Sequence, residues 1–234
     1  MRSPLADGPW VELAETPSTQ AVAAEGVSAG EGPGAVLALH QTAGRGRFDR
    51  VWLSEPGASL NLSLAMRGYA DHPEPWLVGM ALAIAAAGSL HCRLRWPNDL
   101  VLDGKKLGGI LTDIVQDPQG RRIPVVGIGI NLNQRAFPDE IADRAISLAQ
   151  HREGTYEPFA IAQSILARLE DMPEPTHWRA LETAWALFDD TPGKRYLLPD
   201  GREAVGLGVG PHGELLCAVD GESLTVMAGD ALFG

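Results

Sequence analysis

The sequence predicts an α+β fold: a mixed, largely antiparallel sheet flanked by helices, followed by a small β-barrel. Three observations point to it. Residues 94–96, 100–102, 107–115 and 123–132 read as strands joined by tight turns, which is an antiparallel meander. Apolar residues recur at helical spacing over 140–150, 157–171 and 176–188, so helices cluster late, with Pro173 and Pro175 separating the last two. Beyond Pro192-Gly193 the texture changes to short strand pieces at 195–198, 203–209, 214–219 and 223–227, separated by Pro199-Asp200-Gly201, Pro211-His212-Gly213 and Asp220-Gly221.

The earlier elements follow the same logic. Residues 10–14 form a short strand. Thr16-Pro17-Ser18-Thr19-Gln20 then opens a helix, with a hydroxyl placed to cap its free amides. Residues 35–39 are apolar and run without alternation into Gln41, as a strand buried on both faces would. Residues 59–66 alternate with period two, which predicts a strand with one face on the core. The apolar run 76–90 is rich in alanine and is interrupted by Gly79 and Gly88. It is shorter than the roughly 20 residues a bilayer span requires and reads as a buried helix. Asp103-Gly104 is a hairpin turn whose left-handed position glycine satisfies.

Composition narrows the function. The chain has 234 residues, 45% of them hydrophobic, and a formal net charge of −11. A general nucleic-acid surface does not fit that balance, because such surfaces neutralise many phosphates with clustered Lys and Arg. Neither a membrane segment nor an export signal is apparent at Met1-Arg2-Ser3-Pro4-Leu5-Ala6-Asp7-Gly8, so a cytoplasmic location is expected. Cys92 and Cys217 are isolated and read as small core residues. The six histidines are scattered and suggest no zinc site, and His40 reads as a strand end.

Against this acidic background two segments stand out. Gly44-Arg45-Gly46-Arg47-Phe48-Asp49-Arg50-Val51-Trp52 is a cationic loop hinged on glycines, able to hold phosphate or carboxylate oxygens by charge-assisted hydrogen bonds. It is neither a P-loop nor a dinucleotide fingerprint. In the second, Trp96-Pro97-Asn98-Asp99 runs on to Lys105-Lys106-Leu107-Gly108-Gly109-Ile110. The only lysines of the chain are Lys105, Lys106 and Lys194, so two of three stand side by side in a chain that otherwise uses Arg. Neighbouring strand residues point to opposite faces, so only one of the pair enters a common site.

Taken in order, Ser18-Thr19, Gln41-Thr42-Ala43-Gly44-Arg45-Gly46-Arg47, Trp52, Trp96-Pro97-Asn98-Asp99, Lys106-Leu107-Gly108-Gly109-Ile110-Leu111 and Gly127-Ile128-Gly129-Ile130-Asn131 resemble the biotin protein ligases over nearly the whole chain. The resemblance implies a biotin/lipoate ligase-like catalytic domain over 1–190 and an SH3-like barrel over 191–234. It implies that biotin and MgATP form biotinyl-5′-adenylate, which acylates one lysine of a biotin carboxyl carrier domain of a carboxylase such as acetyl-CoA carboxylase.

Carried over by position, Ser18, Thr19, Gln20, Gln41, Gly44, Arg45, Gly46, Arg47, Lys106 and Gly109 would bind biotin. Arg50, Trp52, Asn98, Asp99, Lys106 and Asn131 would bind ATP and the adenylate, with Trp52 flanking the adenine. Lys106, Arg45, Arg47 and Asp99 would be catalytic, Lys106 lying between the carboxylate and the α-phosphate. Asp99 is also the candidate for Mg2+ and for deprotonating the acceptor lysine. The barrel would help position ATP or the carrier domain.

The pattern departs from the family at Gln20, where Asn usually follows Ser-Thr, at Asp49, where a glycine usually precedes Arg50, and at Arg95, where a lysine usually precedes Trp96. Asp49 is expected to pair with Arg47 or Arg50 and tune the loop. The alternatives are a lipoate-type ligase, expected to lack the Gly-Arg-Gly-Arg loop, and a non-catalytic biotin sensor. A DNA-binding repressor form would need a helix-turn-helix domain ahead of Trp10, where nine residues stand. A homodimer is left open.

Overall fold

A computed structural model of the chain describes residues 8–198 and 200–228, the Asp49 side chain excepted. Met1–Asp7, from which the absence of an export signal was read, lie outside the described residues. So do Pro199 of the expected 199–201 turn and the pairing expected of the Asp49 side chain.

Strand β1 (Trp10–Thr16) leads through helix α1 (Thr19–Ser28) to the parallel strand β2 (Ala35–Gln41). The glycine–arginine loop carries a two-stranded ribbon, β3 (Gly44–Arg45) with β4 (Val51–Trp52). Then come β5 (Ser59–Ala65), α2 (Trp76–Leu90), β6 (Arg93–Arg95), β7 (Asp99–Leu102), β8 (Lys105–Gln116) and β9 (Arg122–Asn131). Helices α3 (Leu148–His151), α4 (Pro158–Glu170) and α5 (Trp178–Phe188) precede β10 (Arg195–Leu197), β11 (Glu203–Val209), β12 (Leu215–Val219) and β13 (Glu222–Val226). The main sheet has seven strands in the order β1-β2-β5-β9-β8-β7-β6, antiparallel except for β1 with β2. The second is the four-stranded meander β10-β11-β12-β13, which is what the barrel expected at the C-terminus amounts to among the described residues.

The two faces of the main sheet are built differently. One carries Leu37, Leu60, Leu62, Leu64, Val126, Ile128 and Ile130 and packs against α2, α4 and α5. Helix α2 is apolar all round and almost wholly buried, as its composition requires. Its Gly79 is a close-approach residue, since a β-carbon there would collide with Thr112 Oγ1 on β8. On the other face α1 covers only one end, closing a small cluster of Ala23, Val27, Val36, Ala65, Ile123 and Val125. The rest of that face is left open as a cleft.

This asymmetry corrects the reading of 59–66. Every residue of β5 is buried, not one face of it. Leu60, Leu62 and Leu64 face the helices, whereas Ser59, Asn61 and Ser63 are buried polar residues on the other face. Period two therefore marks a core face and a polar site face here. The helix expected over 140–150 is also shorter: only Leu148–His151 is helical. Ser147 caps that helix with a capping box to Gln150, so a helix cannot run through it, and the preceding segment instead bridges to Lys106 through Ala145. Strand β2 runs on to Gln41 as expected, but Leu39 near its end is exposed, so burial on both faces holds only for its first part.

Candidate active site

The open part of the sheet face is the floor of a cleft of about 830 Å³. That is in the range of small-molecule sites. Strand β9 supplies much of the floor. Val126, Ile128 and Ile130 point to the core, so Gly127, Gly129 and Asn131 fall on the cleft side. The glycines are there because something lies on them: a β-carbon at Gly129 would stand 2.7 Å from the Trp52 indole, and one at Gly127 2.6 Å from Gln20 Oε1.

One end of the cleft holds a buried polar network whose orientation can be derived. The Trp52 indole N–H can only donate, and it points to Asn61 Oδ1 at 3.0 Å. The Asn61 amide nitrogen must then be the donor to Ala38 O at 3.2 Å and Ser54 Oγ at 3.1 Å. Gln41 Nε2 donates to the same Asn61 Oδ1 at 3.2 Å, which turns Gln41 Oε1 toward Thr19. That oxygen accepts from the Thr19 amide at 2.7 Å and from Thr19 Oγ1 at 3.1 Å. Thr19 Oγ1 lies 2.8 Å from Ser63 Oγ. Ser18 caps α1, accepting from the Ala21 amide, so the hydroxyl pair both starts the helix and delivers Thr19 to the cleft. Gln20 donates to Val125 O at 2.9 Å and Asp113 Oδ2 at 3.2 Å, and its buried Oε1 has no hydrogen-bond partner among the described residues.

At the other end a β-bulge decides which lysine enters. Asp99 pairs with Gly109 and Leu100 with Gly108, but Val101 pairs with Lys106, so Leu107 is an extra residue on β8. In a regular strand Gly109 would share a face with Leu107 and Lys105. The extra residue reverses that parity, and Lys106 joins Gly109 on the cleft side. Lys106 Nζ meets Asp99 Oδ1 at 2.6 Å, while Lys105 Nζ turns away to donate to Ala142 O at 3.2 Å. The Lys106 backbone is held by its own amide to Arg144 O at 2.7 Å and by the Ile146 amide to Lys106 O at 3.0 Å.

The loop brings further charge. Arg45 reaches Asp113 Oδ2 at 3.5 Å, and Arg47 donates to Ala228 O beyond β13. Burial lowers the pKa of the Arg47 guanidinium, with Asp99 opposing that effect and Arg50 adding to it. In this chain of net charge −11, the described residues that line the cleft include six basic ones, Arg45, Arg47, Arg50, Arg95, Lys106 and Arg144, against two acidic ones, Glu55 and Asp99. Such a cleft attracts polyanions.

Of the residues singled out in the sequence, Ser18, Thr19, Gln20, Gln41, Arg45, Gly46, Arg47, Arg50, Trp52, Asn98, Asp99, Lys106, Gly109 and Asn131 all line this one cleft. Gly44 does not; it backs the ribbon opposite Trp52, where a β-carbon would stand 2.7 Å from Trp52 O. Sequence reading missed Asn61, Ser63 and Asp113. The alternation of 59–66 carried the signal for the first two, had its polar face been read as a site. The departing Arg95 binds Asp190 Oδ2 through Nε at 3.2 Å and Nη2 at 2.7 Å. No three His, Cys, Asp or Glu side chains among the described residues converge to hold a metal ion. No helix among them is long and apolar enough to cross a membrane.

Comparison with known proteins agrees with this arrangement. The family model of the biotin/lipoate A/B protein ligase family matches residues 12–133. The Bacillus spizizenii bifunctional ligase/repressor BirA is 39% identical over 145 residues, covering 58% of this chain and 44% of that protein. The chain thus spans less than half the length of that relative. The Mycobacterium tuberculosis biotin–[acetyl-CoA-carboxylase] ligase is 31% identical over 95% of this chain and 89% of its own. Among solved structures, the Aquifex aeolicus biotin protein ligase in complex with biotin and ATP superposes with a TM-score of 0.75 at 25% identity, covering 96% of this chain and 98% of that one. With its open-faced sheet, cationic cleft and matched motifs, the chain belongs to the biotin/lipoate A/B protein ligase family.

Proposed function

We propose that this chain is a biotin–protein ligase, which activates biotin with ATP and transfers it to one lysine of the biotin carboxyl carrier domain of a carboxylase. The observation that carries the reading is the pairing of two unlike ends in one cleft. A neutral buried network of Thr19, Gln41, Asn61 and Ser63 suits an uncharged ureido ring, and the cationic end around Lys106, Arg47 and Arg50 suits a carboxylate meeting a triphosphate.

In the first step a biotin carboxylate oxygen forms a bond to the α-phosphorus, the α–β bridging P–O bond breaks, and pyrophosphate leaves. No base is needed, because a carboxylate is ionised at neutral pH. The requirement is fixed positive charge where negative charge develops. Lys106, delivered by the bulge and tethered by Asp99, supplies it, with Arg45 and Arg47 closing from the loop. Trp52, seated on Gly129, flanks the adenine, and Asn98, Asp99, Arg50 and Asn131 serve the nucleotide side. In the second step the amine of the carrier lysine attacks the acyl carbon, AMP leaves, and the amine loses a proton, for which Asp99 is the nearest carboxylate to Lys106.

Magnesium belongs to this reading as part of the MgATP substrate, with Asp99 its candidate protein contact. The chain divides into a catalytic part, 1–190, and a C-terminal part, 191–234. A reaction drawing on ATP and a carboxylase carrier is set in the cytoplasm.

The test is transfer of labelled biotin or lipoate to purified carrier domains in the presence of MgATP. Biotin on a single carrier lysine and no lipoate transfer is the expected result. Lipoate transfer alone would move the chain to the other branch of its family, and biotin binding without either product would make it a sensor.

A further inference from the structure

Trp96 opens the Trp-Pro-Asn-Asp motif, yet its side chain does not line the cleft. It is 2% exposed and forms part of the core of the C-terminal sheet, together with Tyr196, Leu198, Ala204, Leu215, Cys217 and Val219. Its indole Nε1 donates to Gly213 O at 2.8 Å, and its ring meets Tyr196 edge-on at a centroid distance of 5.9 Å. Its amide donates to Thr191 Oγ1 at 3.0 Å, and Thr191 is wholly buried. The residues before it are clasped by the same linker: Arg95 binds Asp190, and the Asp190 amide donates to Leu94 O at 2.6 Å.

The residues after Trp96 lead directly to the cationic end of the cleft. Asn98 brackets Ile110 of β8, its O accepting from the Ile110 amide at 2.9 Å and its Nδ2 donating to Ile110 O at 2.6 Å. Asp99 then pairs with Gly109 in the ladder and with Lys106 through its carboxylate. Hydrogen bonds to the C-terminal sheet at Trp96 and to β8 at Asn98, joined by the backbone through Pro97, therefore link that sheet to the strand that carries Lys106.

We propose that Trp96 and Thr191 are positioning residues through which the C-terminal sheet holds Asn98, Asp99 and Lys106 in register for adenylate formation. The biotin end of the cleft is built on α1, β2 and β5 and shares none of these bonds. The proposal thus separates chemistry from biotin binding, and it rests on the adenylating reading of the cleft.

The test uses the full chain and compares Trp96→Phe, which keeps a ring and loses the bond to Gly213, with Thr191→Val, which loses the acceptor, and Thr191→Ser, which restores it. Three quantities are read on each protein after its fold is checked by circular dichroism: kcat for adenylate formation at saturating biotin and MgATP, the biotin dissociation constant without ATP, and the melting temperature. A small misplacement of a reacting group is enough to cost an order of magnitude, so kcat is expected to fall about tenfold or more in Trp96→Phe and Thr191→Val. It returns to within about twofold of native in Thr191→Ser, while biotin affinity stays within about twofold throughout. A lowered melting temperature with unchanged kcat would overturn the proposal and leave these residues purely structural. Biotin affinity falling by the same factor as kcat would overturn it as well, since the loss would then not be confined to the cationic end. If the native chain forms no adenylate at all, it is the adenylating reading that fails.

Discussion

Trp52 lies flat enough on Gly129 that a β-carbon at that glycine would stand 2.7 Å from the indole, while the indole N–H holds Asn61 at 3.0 Å. These two contacts seat the indole on the glycine-rich floor of β9 and on the buried polar network of the neighbouring strand β5, where Asn61 pairs with Gly129. Gly129→Ala is therefore expected to displace Trp52 and break its hydrogen bond, weakening biotin binding by about 1–2 kcal/mol, the cost of leaving a buried acceptor underserved. Calorimetric titration with biotin measures it. Unchanged affinity would mean that the indole does not order the network.

Gly108, which pairs with Ile130 beside the floor, differs from Gly129 in what a β-carbon would meet. At Gly108 the obstacle is the backbone carbonyl of Gly129, which cannot swing aside as a side chain can. Gly108→Ala is expected to destabilise the whole fold by about 1–3 kcal/mol, the usual cost of overpacking, whereas Gly129→Ala leaves the denaturant midpoint nearly in place. Chemical denaturation of the two variants distinguishes them.

Arg45 and Arg47 donate to protein acceptors, Asp113 Oδ2 and Ala228 O, with which bound anions would compete for the guanidinium groups. Biotin plus ATP is expected to protect the loop from trypsin at Arg45, Arg47 and Arg50, since closure over the adenylate excludes water from a labile mixed anhydride. Cleavage at equal rates with and without ligands would show that the loop does not close.

Burial pushes the Cys92 thiol up to about 12, well above the free value. At about pH 8 the native protein should thus leave Cys92 unlabelled by a thiol reagent, with labelling appearing only as denaturant unfolds the chain. Rapid labelling of the native state would mean that the sheet face under α2 opens locally.

Much of this architecture was legible because local chemistry and global fold agree. The meander of β6 to β9 was visible from its turns, with Gly104 adopting the positive φ expected of the hairpin and Asp103 sharing it. The buried helix α2 was visible from composition. What escaped was set by tertiary context. The alternation of Ser59, Asn61 and Ser63 with leucines looks the same whether the polar face meets water or a ligand cleft, and only the open face of the sheet decides. The choice between Lys105 and Lys106 could not come from strand parity, because the bulge at Leu107 inverts that parity and leaves no mark in the sequence. Trp96 was read beside the site chemistry, whereas its ring belongs to a core completed by residues a hundred positions later, such as Tyr196.

Lys106 and Asp99 are each partly exposed, 44% and 29%, so their ion pair adds little to stability, within about 1 kcal/mol. Its value lies in where it holds the ammonium. The most direct measurement is a single turnover without carrier, using biotin and ATP labelled in the α-phosphate, comparing the native chain with Lys106→Ala. Labelled biotinyl-adenylate is expected from the native chain, and a rate lower by about 10²–10³ in the variant with biotin still bound, as for loss of a fixed charge on a developing anion. Adenylate formed by Lys106→Ala at the native rate would contradict this role of Lys106.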